Sequence, residues 1–219
     1  MTPDALRALI AGGETLSVEF KGEERTPLGK RDLVEAIVCL VNRIGDAPAY
    51  LLIGVEDDGR ITGARPRHGE TPDPARIATL IANRTCPSIA VRAACVTIDD
   101  KPVLVVEVPA QRQPVATSKG LFLRRTLGGD GRPACVPMDA FAMQSLQADR
   151  GLLDPSAQIV AEARWEHLDP LEFERFRRSV RERRGRSDES LLDLPDLDLA
   201  KALGVVDANG SVRGVRLAA

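Results

Sequence analysis

Apolar positions along the chain fall into two periods, one near 3.6 and one of 2. In PDALRALIA (3–11), Leu6, Leu9 and Ile10 recur at helical spacing and a Gly12–Gly13 pair ends the run. SVEFK (17–21) alternates, which predicts a strand with Val18 and Phe20 facing the core and Glu19 and Lys21 sharing the solvent side. LGKRDLVEAIVCLV (28–41) returns to the helical period, with Leu33, Ala36, Ile37, Leu40 and Val41 on one face. AYLLIGVEDDGRITG (49–63) predicts an apolar strand, a DDG turn and a short return strand. PARIATLIANRTC (74–86) predicts a third helix with Pro74 in its first turn. IAVRAACVTI (89–98) and PVLVVEV (102–108) are strand-like runs meeting at the acidic turn DDKP. GLFLRR (120–125) predicts another strand, and VPMDAFAMQSL (136–146) a helix. Helices mixed with adjacent hairpin strands indicate an α+β fold, a mixed or antiparallel sheet flanked by helices.

The pattern changes after about Gly151. LDPSAQ (153–158) is linker-like, DPLEFERFRRSVRERRGR (169–186) predicts a charged helix, and DLPDLDLAKALG (193–204) a shorter one. DANGSVRGV (207–215) predicts a terminal turn or hairpin. The expected division is a domain over residues 1–150 and a small helical C-terminal appendage over 151–219. The appendage shows little apolar surface, so it is expected to pack on the first domain or on a partner, with Trp165, the only tryptophan, as its anchor.

Composition narrows the function classes. With 43% hydrophobic and 28% charged residues, a packed core is expected, but aromatics are only 3%. A single-strand binder built on many stacking platforms is therefore disfavoured. Net charge is -2, so any basic site must come from local patterning. Arg124 and Arg125 end one strand run, and residues 175–186 carry seven arginines, interleaved with Glu172, Glu174 and Glu182 that can absorb them by i, i+4 pairing. Cys39, Cys86, Cys95 and Cys135 have no C-x-x-C spacing, and His68 and His167 lack motif context, so a structural zinc site is not expected. No signal peptide or membrane-length apolar run is evident, which leads to the expectation of a cytoplasmic protein with reduced thiols.

The densest chemistry lies in GETLSVEFKGE (13–23). Glu14 sits near the glycine break, where the chain can turn it back toward Glu19. Asp57 follows the strand AYLLIGV, where loops display polar groups. Were the two strands neighbours, Glu14, Glu19 and Asp57 could converge. Three close carboxylates need a counter-charge. Mg²⁺ or Mn²⁺ bound by oxygen ligands would supply it and could activate water against a phosphodiester. Lys21 would hold the phosphate or orient the water. The plainer reading makes Glu19 and Lys21 exposed strand residues and Asp57 a turn residue.

G-E-T-L-S-V-E-F-K, LVEAIVCLVN, YLLIGVEDDGRITG, VLVVEVP and GLFLRR, in that order, resemble the AlbA-like DNA-binding domain of Schlafen proteins and their bacterial relatives over about residues 10–150. The resemblance maps the three acids of Schlafen ribonucleases onto Glu14, Glu19 and Asp57, and the family's basic segment onto Arg124 and Arg125. It departs at Thr15, where the family has Ser, and at CLVNRIGDAPA, which keeps Asn42 but loses paired glycines. It implies a nucleic-acid-binding protein, with Lys21, Arg124 and Arg125 on the nucleic acid. It further implies a metal-dependent endoribonuclease acting on tRNA or other structured RNA through Glu14, Glu19 and Asp57, with Lys21 of the residue reading assisting the catalysis. Two alternatives stand beside it: a non-catalytic DNA-binding regulator, and an interaction subunit of a larger, defence-type complex docking through the C-terminal helix. A homodimer is compatible with the family. No G-x-x-x-x-G-K-[ST] loop occurs, so ATP hydrolysis is not expected.

Overall fold

The computed structural model of the chain describes residues 1–66, 72–153, 158–182, 189–207 and 215–216. The chain divides into two compact units, Met1–Leu153 and Asp154–Ala219.

The first unit is built on a four-stranded sheet in the order β1–β2–β5–β4. β1 (Val18–Lys21) runs parallel to β2 (Ala49–Ile53), while β5 (Lys101–Val108) is antiparallel to both β2 and β4 (Arg92–Ile98). Alternation along the strands sends side chains to two cores. Leu51, Ile53, Leu104 and Val106 pack with α2 (Lys30–Val41) and α3 (Pro74–Arg84). Val18, Phe20, Leu52, Val103 and Val105 pack on the opposite face with Leu6 of α1 (Pro3–Ala11). Each such large side chain withdrawn from water contributes about 1.5–3 kcal/mol.

Every helix foreseen in this unit forms. Thr2 caps α1, Asp73 caps α3 just ahead of Pro74, and Asp139 caps α4 (Ala140–Asp149). α2 is more enclosed than its pattern implied: Val34, Val38 and Cys39 are buried along with the expected face. The DDKP turn is confirmed, with Asp99 and Asp100 both at positive φ, as a two-residue hairpin of this twist requires. The expected return strand after the DDG turn shrinks to a single bridge, Val55 to Ile61. Gly54 causes this. It sits at φ +94°, and a Cβ there would lie 2.3 Å from Ala64 N, so β2 ends by folding tightly against Gly63–Ala64.

Three short elements were not foreseen: β3 (Thr85–Cys86) pairs with β6 (Ala116–Thr117), and β8 (Pro133–Pro137) pairs with β7 (Leu123–Leu127). β8 escaped notice because GRPACVP carries prolines at both ends and no alternation. The β7–β8 ribbon packs on α2. Cys39 of α2 and Cys135 of β8 form a disulfide, which corrects the expectation that all thiols are free; Cys86 and Cys95 are free. Sequence spacing could not reveal the pair, because 96 positions separate two cysteines that the ribbon brings to a Cα–Cα distance of 5.8 Å.

The second unit contains β9 (Ile159–Val160), α5 (Pro170–Glu182), α6 (Asp196–Ala202) and β10 (Val215–Arg216), which pairs with β9. It has a core of its own, formed by Phe173, Leu199, Ala200 and Val206, contrary to the expectation of a tail with little apolar surface. Trp165 packs on Phe173 of this same unit, ring centroids 5.6 Å apart. Arg177 is buried between Glu174 and Asp196, and Arg175 pairs with Glu172, so these arginines are consumed internally. His68, the four arginine-rich positions 183–186 and most of DANGSVRGV lie outside the described residues. Among the described residues no helix is long and apolar enough to cross a membrane.

Candidate functional site

The side of β1 opposite its core residues is covered. Glu19 is 8% exposed, although alternation placed it toward solvent. The cover is Arg125 of β7, whose side chain is 2% exposed and forms an ion pair with Glu19. Arg125 Nε also donates to the Thr15 carbonyl at 2.7 Å, and a terminal nitrogen donates to the Val18 carbonyl at 3.1 Å. Glu14 folds back over β1, as its position beside the glycines suggested. Its carboxylate accepts from Phe20 N–H at 2.8 Å and lies 3.8 Å from the Arg125 guanidinium. Lys21 pairs with the other oxygen of Glu19.

The electrostatics follow from this enclosure. Burial lowers the Arg125 pKa, and Glu14 beside it opposes that fall. Guanidinium is basic enough to remain charged regardless. The counter-charge that clustered carboxylates require is therefore protein-borne, one guanidinium and one ammonium.

Asp57 does not join the other acids. Glu19 lies beside Leu51 in the parallel register, and the chain then bends at Gly54 before Asp57 is reached. A turn closed by Gly59 N–H on the Glu56 carbonyl leaves Asp57 exposed and, among the described residues, without a hydrogen bond or ion pair. Glu56 and Glu23 turn inward instead. Glu56 accepts from the Thr62 hydroxyl at 2.6 Å and Glu24 N–H at 3.1 Å; buried Glu23 accepts from Leu28 N–H and Arg65 N–H, each at 2.7 Å. Among the described residues no three of His, Cys, Asp or Glu group so as to hold a metal ion. As placed, Glu14, Glu19 and Asp57 do not fit a divalent cation, because two are engaged by Arg125 and the third stands apart.

Arg124 and Arg125 diverge, as alternation along β7 requires. Arg125 is inside, where it meets Glu14 and Glu19. Arg124 lines a cavity of about 270 Å³ between β7 and α4, and its Nε is buried without a hydrogen-bond partner among the described residues. A second group of cations went unnoticed in the sequence because it comes from three separate segments. Lys30 opens α2, Arg84 closes α3, and Lys119 lies between β6 and β7; all three are exposed and, among the described residues, free of ion pairs. They border one groove of about 420 Å³. Asn42, retained from the family pattern, is a buried brace. Its amide donates to the Val115 and Leu123 carbonyls at 2.6 and 2.8 Å and accepts from Val115 N–H at 2.9 Å.

A four-stranded sheet with α2 and α3 on one face, a small helix on the other and an arginine-bearing ribbon over β1 defines an AlbA-like α+β domain. The chain belongs to the family described as Schlafen, AlbA_2, whose model matches residues 14–132, more than half of its length. No curated protein matches the chain. Among solved structures it is similar to the DIP2311 protein of Corynebacterium diphtheriae, with TM-score 0.51 and 22% identity over 96% of this chain. This chain spans 37% of that protein's length. It is also similar, with TM-score 0.40 and 20% identity, to the N-terminal domain of a RecG-related protein from Nitrosomonas europaea, covering 54% of this chain and 81% of that one.

Proposed function

We propose that the first unit is a nucleic-acid-binding module that engages the sugar–phosphate backbone. The observation that carries this reading is the grouping of Lys30, Arg84 and Lys119, unpaired, at one surface of a chain whose net charge is -2. Several acids are already engaged by other cations: Glu14 and Glu19 by Arg125, Glu24 by Arg60 and, at this same surface, Glu35 by Arg31. Unpaired cations are then left to face phosphates, and binding to phosphates is the salt-sensitive, sequence-independent kind. Family membership supports the same reading.

A metal-dependent endonuclease acting on structured RNA is the second reading, favoured by the meeting of Glu14 and Glu19 at one guanidinium. It requires Arg125 to withdraw and Asp57 to move in, so the module as folded is read first as a binder. The test measures binding of duplex DNA and of total tRNA at about 50 and 200 mM salt, with and without EDTA. Binding that collapses with salt and ignores EDTA supports the binder. Binding to neither nucleic acid ends it. Cleavage of tRNA with Mn²⁺ by wild type, lost in Glu19→Gln, would establish the second reading.

A further inference from the structure

The groove bordered by the three unpaired cations has a floor as well as a rim. Val34 of α2, Leu80 of α3 and Leu121 line it, and the hydroxyls of Thr117 and Ser118 lie at its edge. Arg31 and Glu35 also line it, but they are ion-paired at 2.7 Å and cancel. Lys30, Arg84 and Lys119 therefore supply uncompensated positive charge around an apolar patch. Among the described residues the Ser118 hydroxyl has no hydrogen-bond partner, whereas Thr117 Oγ1 already accepts from Leu121 N–H at 3.2 Å. The cavity, about 420 Å³, falls in the range of small-ligand sites. It is apolar where a flat ring could lie and cationic where an anion could be held, with one idle hydroxyl donor.

We propose that this groove binds one nucleotide unit, its base on Val34, Leu80 and Leu121 and its phosphate among Lys30, Arg84 and Lys119. The unit is either a free nucleotide or one residue of a strand, and in the latter case the inference rests on the nucleic-acid-binding reading above. The compactness of the floor, three side chains from three segments, favours a single ring over an extended acidic peptide. Neither Glu14, Glu19, Asp57 nor Arg125 borders the groove, so it is a surface separate from the acids of β1.

The experiment uses the full chain. AMP and inorganic phosphate are titrated by calorimetry, and a labelled single-stranded RNA of about 12 nucleotides by anisotropy. Variants are Lys119→Glu and Arg84→Glu, both at exposed positions, with Arg112→Glu as a control at an exposed cation outside the groove. The expected result is that AMP or the strand binds, more tightly than phosphate does. Each groove variant weakens it about tenfold or more, the scale of one lost charge-assisted contact, while Arg112→Glu stays within about twofold. Loss confined to AMP identifies a free nucleotide as the source; loss on the strand identifies a strand residue. The groove is overturned by phosphate binding as tightly as AMP, by equal loss in Arg112→Glu, or by tighter capture of an oligoglutamate peptide. Strand binding untouched by both groove variants overturns the groove yet leaves the nucleic-acid reading standing. Binding of AMP alone, with no nucleic acid bound at all, removes that reading and keeps the groove; binding of neither removes both.

Discussion

Arg125 of β7 lies over β1 and forms a buried ion pair with Glu19, 106 positions earlier in the chain. Removing one partner leaves the other buried with only its weaker counter-charge, Lys21 for Glu19 or Glu14 for Arg125, a loss of up to about 3–5 kcal/mol. Arg125→Met and Glu19→Met should each lower stability on that scale in urea unfolding. The double variant should lose less than the sum, because each single change already removes the interaction that the two side chains share. Additive losses would show that the two side chains do not act as a pair.

Asn42 satisfies three backbone groups with one side chain. Asn42→Ala leaves Val115 N–H and two carbonyls without that partner, and a loss of roughly 3 kcal/mol is expected. Asn42→Asp should be no better, since a carboxylate cannot donate to the two carbonyls. The urea midpoint should fall at unchanged slope. A midpoint equal to wild type in either variant would contradict the brace.

The Cys39–Cys135 link ties the β7–β8 ribbon to α2. By constraining the unfolded chain it should contribute about 2–4 kcal/mol. Cys135→Ser should therefore unfold at lower urea than oxidised wild type, and reductant should bring wild type to the variant's midpoint without moving the variant. Identical midpoints for all three samples would mean that the bond has no part in stability.

Glu24 and Arg60 form an exposed two-pronged pair, with both oxygens accepting at 2.8 Å. The hydrogen bond from Arg60 holds the Glu24 carboxyl below its ordinary value of 4.5. A depressed folded value means that the pair's support is present above pH 4.5 and is lost as pH falls through the lower folded value. In an NMR titration the Glu24 carboxyl should protonate at higher pH in Arg60→Gln than in wild type. Coincident titration curves would show that Arg60 is not the cause.

Local pattern determined much of this molecule. Helical spacing at Leu6, Leu9 and Ile10, the Pro74 start of α3 and the β-branched run of PVLVVEV each specify an element without outside help, because each draws only on its own residues. The return of Glu14 toward β1 was likewise legible, since Gly12 and Gly13 free the chain beside it. What side chains meet across the fold was decided elsewhere. Alternation could state that Glu19 leaves the face of Val18 and Phe20, but whether that other side is water or Arg125 depends on a ribbon far along the chain. The bend at Gly54 is possible because glycine has no Cβ to meet Gly63 and Ala64, and Asp57 lies beyond that bend. The groove of Lys30, Arg84 and Lys119 has the same origin: three segments unrelated in sequence share one edge only once α2 and α3 have docked on the sheet. Periodicity is a property of neighbours in the chain, whereas charge compensation is a property of neighbours in space.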